Sequence, residues 1–281
     1  MLTRSQYLAR VPVKSLPHRV KLDFSNFHSA NRRNRSQLST WALGIALMIT
    51  ISLPASSQEG ESRWESRIKQ FEEQDATNMP PEGAVLFTGS SSIVFWSKLA
   101  EDMSPLAVIN RGFGGSQMHE LNEFRDRIVT NYKPRAIVIY EGDNDVAAGK
   151  SPDEILASYD DFIQHIDEKL PETDVCFIAI KPSIRREEMW PEMEKVNSGL
   201  QERSQNREDL CYLDIATPMM EGEEFVRPEL FVGDGLHLNR EGYEVWVEVI
   251  RPVLVERYGP ESTSPATMQE PTKQLGENED E

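Results

Sequence analysis

Five short apolar runs, alternating with stretches of helical spacing, constrain this chain more than any other feature. The runs are Ala84–Thr88, Ala107–Asn110, Ala136–Tyr140, Val175–Lys181 and Leu210–Ile215. They are rich in Val, Ile and Phe and show little strict alternation, as expected of strands buried on both faces of a parallel sheet. Helical segments follow at Gln117–Tyr132, at Pro152–Leu170 with Ser151 as its N-cap, at Glu187–Arg207 and at Asn239–Tyr258. Ahead of the first run, Glu61–Asp75 carries Trp64, Ile68 and Phe71 at helical spacing, and Asn78-Met-Pro-Pro-Glu-Gly83 ends it. This order predicts an α/β fold, a doubly wound three-layer α/β/α sandwich around a five-stranded parallel sheet. Ligands in such sheets bind beyond the carboxyl ends of the strands, so the loops there are the first place to look for chemistry.

The termini differ from this body. Residues 1–40 hold eight basic side chains against one acid, Asp23, and residues 41–57 carry no charge, so the formal charge of −17 leaves −24 on the remainder. So acidic a body repels phosphate backbones and anionic membrane surfaces, which argues against nucleic acid as a partner and favours a neutral substrate. Trp41–Leu53 is an uncharged, mostly apolar run behind the Arg32–Arg35 cluster, shorter than the ~20 residues a membrane span needs. Pro54 breaks it, and Ala55-Ser56-Ser57 offers small residues of the kind a signal peptidase reads. Residues 1–57 are therefore expected to be a signal peptide with a long basic n-region, or else an uncleaved anchor. The mature form is expected to be exported, periplasmic or extracellular, with no stable membrane span. Residues 58–258 form the expected folded domain. Residues 259–281 are rich in Glu, Ser, Thr and Pro, lack periodicity, and read as a disordered acidic tail.

Cys176 and Cys211 both fall inside expected buried strands. An exported protein could pair them, but a buried free thiol is the simpler expectation. No Cys or His spacing suits a structural zinc site.

Four strand-end or loop motifs carry side chains suited to catalysis. The first strand runs into Phe87-Thr-Gly-Ser-Ser-Ser-Ile93, where Gly89 permits a sharp turn that projects a serine hydroxyl. Taken alone, three serines after a strand are ordinarily a turn and a helix cap. The second strand ends in Asn110-Arg-Gly-Phe-Gly-Gly-Ser116, whose glycines let backbone N–H groups face a ligand or simply form a turn; the full dinucleotide-binding glycine pattern is absent. The third ends in Glu141-Gly-Asp-Asn-Asp145, where an asparagine can donate to an oxyanion or cap a helix. Gly233-Asp-Gly-Leu-His-Leu-Asn239 precedes the last helix, and there a carboxylate can fix the tautomer of an imidazole three residues on. His18, His28, His119 and His165 lack such a context.

Each motif is weak alone, but in this order they resemble the SGNH hydrolases, or GDSL-type esterases, over Trp64 to Tyr258, with the secreted bacterial acylhydrolases most similar and the platelet-activating-factor acetylhydrolase catalytic subunits more distant. The resemblance implies a flavodoxin-like fold and a serine esterase that needs no metal or cofactor. It assigns Ser91 as nucleophile, Asp234 and His237 as its acid–base pair, and the Ser91 and Gly115 N–H groups with the Asn144 amide as the oxyanion hole. The family's aspartate before the nucleophile is Ser90 here, so the run of three serines leaves some ambiguity in that assignment. The expected substrate is a small-molecule or polysaccharide ester, first an O-acetylated carbohydrate and second a lysophospholipid or other lipid ester; a non-catalytic carbohydrate-binding role is the remaining alternative. Lys181-Pro-Ser-Ile-Arg-Arg-Glu-Glu-Met-Trp190 should overhang the site, with Trp190 either stacking on a sugar or anchoring the next helix.

Overall fold

A computed structural model of the chain describes residues 62–220 and 225–260. The expected signal segment and nearly all of the acidic tail lie outside them. Five parallel strands, β1 (Val85–Gly89), β2 (Val108–Gly112), β3 (Ala136–Tyr140), β4 (Asp174–Ile178) and β5 (Leu210–Leu213), form one sheet in the order β2-β1-β3-β4-β5. From β1 the chain crosses to β2 on one side and then to β3 on the other. The direction of winding therefore reverses between β1 and β3, which opens a crevice at their carboxyl ends.

The helices are α1 (Glu65–Thr77), α2 (Ser91–Val94), α3 (Leu99–Asp102), α4 (Met118–Ile128), α5 (Asp143–Ala147), α6 (Pro152–Lys169), α7 (Trp190–Gln205), α8 (Ala216–Met219) and α9 (Arg240–Tyr258). Alternate strand residues face opposite layers. Val85, Phe87, Val138 and Tyr140 pack with Trp96, Trp246, Ile250 and Leu254, while Leu86, Ile137, Ile139 and Phe177 pack with Phe71, Leu121, Ile155 and Val196. Each such side chain removed from water contributes roughly 1.5–3 kcal/mol, so both faces of the sheet must be covered, as the continuous apolar runs require.

Local signals set the helix starts. Ser151 Oγ accepts the Glu154 N–H at 3.3 Å, the Glu154 carboxylate accepts the Ser151 N–H at 2.9 Å, and Pro152 opens α6 without a missing bond. α7 begins at Trp190 rather than Glu187, after a 3₁₀ turn over Ile184–Met189. Pro191 lacks an N–H and fits only the first turn, which fixes the start. Among the described residues no helix is long and apolar enough to cross a membrane.

The cysteine expectation needs correction. Cys176 and Cys211 are joined in a disulfide, not held as free thiols. β4 and β5 are neighbours, and Cys176 lies directly opposite Cys211 with Cα atoms 4.4 Å apart, so both sulfurs leave the same face side by side.

Candidate active site

The site sits over the crevice between β1 and β3. Gly89, the last residue of β1, has φ +131°, and a Cβ there would lie 2.1 Å from the Tyr140 carbonyl oxygen of β3. Only glycine can end β1 this close to its neighbour and turn at once into α2. Ser90 donates its N–H to the same carbonyl at 3.1 Å, and Ser91 becomes the first residue of α2. Ser90 and Ser92 are buried at 1% and 3% exposure while Ser91 is half-buried, so only the middle serine presents its hydroxyl to the crevice.

The Asp234–His237 loop meets it from the other side. His237 Nε2 lies 3.0 Å from Ser91 Oγ, and Nδ1 lies 2.6 Å from Asp234 Oδ2. Asp234 Oδ1 accepts the Leu236 and His237 N–H groups, both at 2.9 Å. The His237 backbone N–H and ring, with the Leu236 N–H, outweigh burial and hold the Asp234 carboxyl well below the usual carboxylate range. An ionised Asp234 keeps the ring proton on Nδ1 and leaves the Nε2 lone pair facing the Ser91 hydroxyl. The exposed Phe95 ring packs edge-on against His237, centroids 5.0 Å apart, one helical turn beyond Ser91.

The glycine loop after β2 closes the third side. A Cβ on Gly114 would lie 3.8 Å from Ser91 Cβ, and Gly115 takes φ +83°. Among the described residues the Ser91 and Gly115 N–H groups have no hydrogen-bond partner. Asn144, in the first turn of α5, donates Nδ2 to the Ser116 carbonyl at 3.0 Å. All five residues singled out from sequence, Ser91, Gly115, Asn144, Asp234 and His237, are thus gathered around one crevice.

Several neighbours were not among them. Arg63 donates to the Gly115 carbonyl at 3.2 Å and to both Glu120 carboxylate oxygens at 2.8 Å, and the Trp64 ring lies 3.7 Å from where a Gly115 Cβ would stand. Glu141 is fully buried beneath the same loop, where the Ser116 hydroxyl donates to Oε1 at 2.5 Å. Burial pushes its carboxyl well above the ordinary range, which favours the neutral acid and keeps negative charge away from the loop. Arg186, from the overhanging segment, bonds Asn144. Trp190 is half-buried against the core, with Phe225 edge-on at 6.0 Å, and anchors α7 rather than facing the crevice.

Comparison with known proteins bears on the fold and the family. The model of the GDSL-like lipase/acylhydrolase family matches residues 82–245, more than half of the chain. The human platelet-activating factor acetylhydrolase IB subunit alpha2 is 26% identical over 132 residues, 46% of this chain and 56% of that subunit, so the chain spans little more than half the length of this curated relative. A GDSL-like lipase from Bacteroides thetaiotaomicron superposes with a TM-score of 0.58 at 21% identity, over 68% of this chain and 98% of that one. A lipase/acylhydrolase from Enterococcus faecalis gives 0.50 at 23% identity, over 63% and 96%. These structural likenesses speak for the fold, and the family match carries the classification: the chain belongs to the GDSL-like lipase/acylhydrolase family.

Proposed function

We propose that the protein is a serine esterase working by two-step acyl transfer, with Ser91 as nucleophile, His237 as general base and Asp234 as its partner. The observation that carries this reading is the unbroken series Ser91 Oγ, His237 Nε2, His237 Nδ1, Asp234 Oδ2, with contacts of 3.0 and 2.6 Å. His237 takes the hydroxyl proton as Oγ attacks the ester carbonyl, and the imidazolium is stabilised by the Asp234 carboxylate. The negative charge on the carbonyl oxygen is met by the Ser91 and Gly115 N–H groups and by Asn144 Nδ2. His237 then returns the proton to the departing alkoxide oxygen, leaving the acyl group on Ser91. Water, deprotonated by His237, attacks this acyl-enzyme, and collapse of the second intermediate releases the carboxylic acid and restores the Ser91 hydroxyl.

The acyl group is proposed to be short, as in O-acetylated carbohydrates. Ser91 follows β1 after one residue and Asp143 follows β3 after two, so little chain stands over the crevice from these strands. The human relative is named an acetylhydrolase, which accords with a small acyl group. A lipid ester is the second reading, and one observation favours it: Phe95, Ile184 and Val232 are exposed apolar side chains on the loops that carry or adjoin the acid–base pair. Export in an oxidising compartment is proposed from the amino-terminal sequence, and the Cys176–Cys211 disulfide supports it. A signal segment over 1–57 and an acidic tail over 259–281 flank the proposed hydrolase domain.

Labelling with a serine-directed fluorophosphonate and peptide mapping tests the mechanism. The adduct should fall on Ser91, and an adduct on Ser90 or Ser92 would sink the assignment. Acetate release from acetylated polysaccharides, run beside nitrophenyl esters of increasing chain length and a lysophospholipid, separates the two substrate readings.

A further inference from the structure

Arg186 lies in the 3₁₀ turn after β4, and its guanidinium bonds two adjacent side chains at the start of α5. It donates through one nitrogen to Asp143 Oδ1 and through the other to Asn144 Oδ1 at 3.0 Å. Asp143 Oδ2 also accepts Lys181 Nζ at 3.0 Å and the Tyr140 hydroxyl at 3.2 Å. Burial pushes the Asp143 carboxyl up, but the Lys181 and Arg186 charges outweigh it and hold the group below the ordinary carboxylate range. One buried carboxylate thus faces two cations, and the second cation also faces the Asn144 carbonyl oxygen. With its side chain 14% exposed, Arg186 has little water competing for these bonds.

An amide side chain has an acceptor end and a donor end. With Oδ1 on Arg186, Nδ2 turns the other way and donates to the Ser116 carbonyl at 3.0 Å. That bond uses one of two hydrogens and leaves the second for an acceptor. A flipped amide would set Oδ1 against the Ser116 carbonyl and Nδ2 against the guanidinium, two repulsive contacts in place of two bonds. The cation on Oδ1 also draws electron density from Nδ2 and makes its N–H a stronger donor.

We infer that Arg186 is a positioning residue for oxyanion stabilisation, locking the Asn144 amide so that Nδ2 faces the ester carbonyl oxygen. The inference rests on the reading of Asn144 as an oxyanion donor. Asp143, held by Lys181 and Tyr140, keeps the guanidinium in place. Arg186 itself touches no reacting atom.

A double-mutant cycle on nitrophenyl acetate hydrolysis tests this, with kcat and KM measured for wild type, Asn144→Ala, Arg186→Met and the pair. Arg186→Met should lower kcat by about 10–50-fold with KM within about twofold, because a transition-state contact is weakened. Beside Asn144→Ala the same change should cost less than about threefold, since the group it positions is gone. Arg186→Lys keeps a charge beside Asp143 and replaces the two-pronged fork by one ammonium. It should keep the melting temperature within about 2 °C yet lose at least about fivefold in kcat, and it takes the place of Arg186→Met in the cycle if that variant does not fold. A loss that is equal in both backgrounds, or one confined to KM, would overturn the inference. If Asn144→Ala is itself near wild type, the reading of Asn144 falls and the inference with it. If Asn144→Ala is impaired while the Arg186 loss stays undiminished beside it, only the inference falls.

Discussion

Ser91 and His237 meet at 3.0 Å on supports of opposite kinds. The serine stands where the sheet dictates: β1 ends at Gly89 between Gly112 of β2 and Tyr140 of β3, the Gly89 carbonyl accepts the Phe113 N–H at 2.8 Å, and the Tyr243 hydroxyl donates to the Ser92 carbonyl at 2.8 Å. The histidine stands on a loop that largely holds itself. Val232 N–H donates to the His237 carbonyl at 2.9 Å, Gly235 N–H to the Val232 carbonyl at 3.0 Å, and the Asp234 carboxylate binds two N–H groups of its own loop. From outside the loop, Arg185 gives one N–H to the Gly235 carbonyl at 3.0 Å, and Phe231 forms a single bridge to Leu238. The position of Ser91 is a property of the fold, so disturbing it should cost stability and chemistry together. The position of His237 is local, so disturbing it should cost chemistry first.

The largest effect should follow from loading a side chain onto each support in turn. Gly89→Ala drives a Cβ to 2.1 Å from a backbone oxygen that also anchors Ser90, and no flexible side chain is there to yield. It should abolish activity and destabilise by about 4 kcal/mol or more, because strained backbone and displaced sheet pairing act together. Gly235 also has a left-handed φ, +65°, but its added Cβ would meet Ile184 at 3.2 Å on an exposed loop. Gly235→Ala should cost only about 1–2 kcal/mol. Equal melting temperatures for the two variants would break the distinction.

Next in size is Ser91→Ala, which removes the proposed nucleophile and leaves the turn intact. Turnover should fall by about 10⁵–10⁶-fold, with a stability change within about 0.5 kcal/mol, since only a half-exposed hydroxyl is lost. Thermal melts beside steady-state rates check both halves. A large loss of stability would mean that the hydroxyl, and not the glycine turn, holds the strand end.

The acid–base loop and the oxyanion side should then separate by pH. Asp234→Asn should lower kcat/KM by about 10³–10⁴-fold, because a neutral amide can favour the wrong imidazole tautomer. That loss should ease at alkaline pH, where hydroxide partly replaces the missing base. In the wild type, the depressed Asp234 pKa keeps the carboxylate ionised as pH falls, so the acidic limb of the rate does not come from Asp234. Asn144→Ala removes a group that does not titrate and should cost about 10²–10³-fold in kcat, flat with pH. Parallel pH profiles for the two variants would mean that one residue has been given the other's role.

How much of this could be read from sequence follows the same line between local and distant. Ser91, Gly115 and Asn144 were singled out by the family resemblance, and the parallel sheet brings their strand ends to one edge, so motifs far apart in sequence converge. Asp234 and His237 were legible because their bond spans three residues of one loop. Arg186 was not: its partner Asn144 lies 42 residues away, and among Lys181 to Trp190 nothing marks one charge as directed inward. Arg63 was hidden likewise, 52 residues from Gly115 and outside the family's matched span. The disulfide was missed because burial of each cysteine is visible in its own strand, whereas their side-by-side alignment depends on the pairing of β4 with β5.

The smallest effect on turnover, and the sharpest check on where fold ends and site begins, should come from removing that disulfide. Cys176 lies in the middle of β4 and Cys211 in β5, below the carboxyl ends that carry the loops, and both are buried against the layer that contains α9. The bond closes a loop of 35 residues, and cross-linking the unfolded chain over that distance is worth up to about 4 kcal/mol by loop-closure entropy. Cys176→Ala with Cys211→Ala should therefore lower the melting temperature by about 10 °C, at roughly 2–4 °C per kcal/mol for a domain of this size. Neither side chain touches Ser91, Asn144 or the Asp234–His237 loop, so kcat and KM at 25 °C should stay within about twofold, and the pH profile should keep its shape. A selective loss of kcat would show that the alignment of β4 and β5 reaches the site, and the segment to suspect is the one from β4 to Arg186. An unchanged melting temperature would instead mean that the bond adds little to a sheet already held by its own packing.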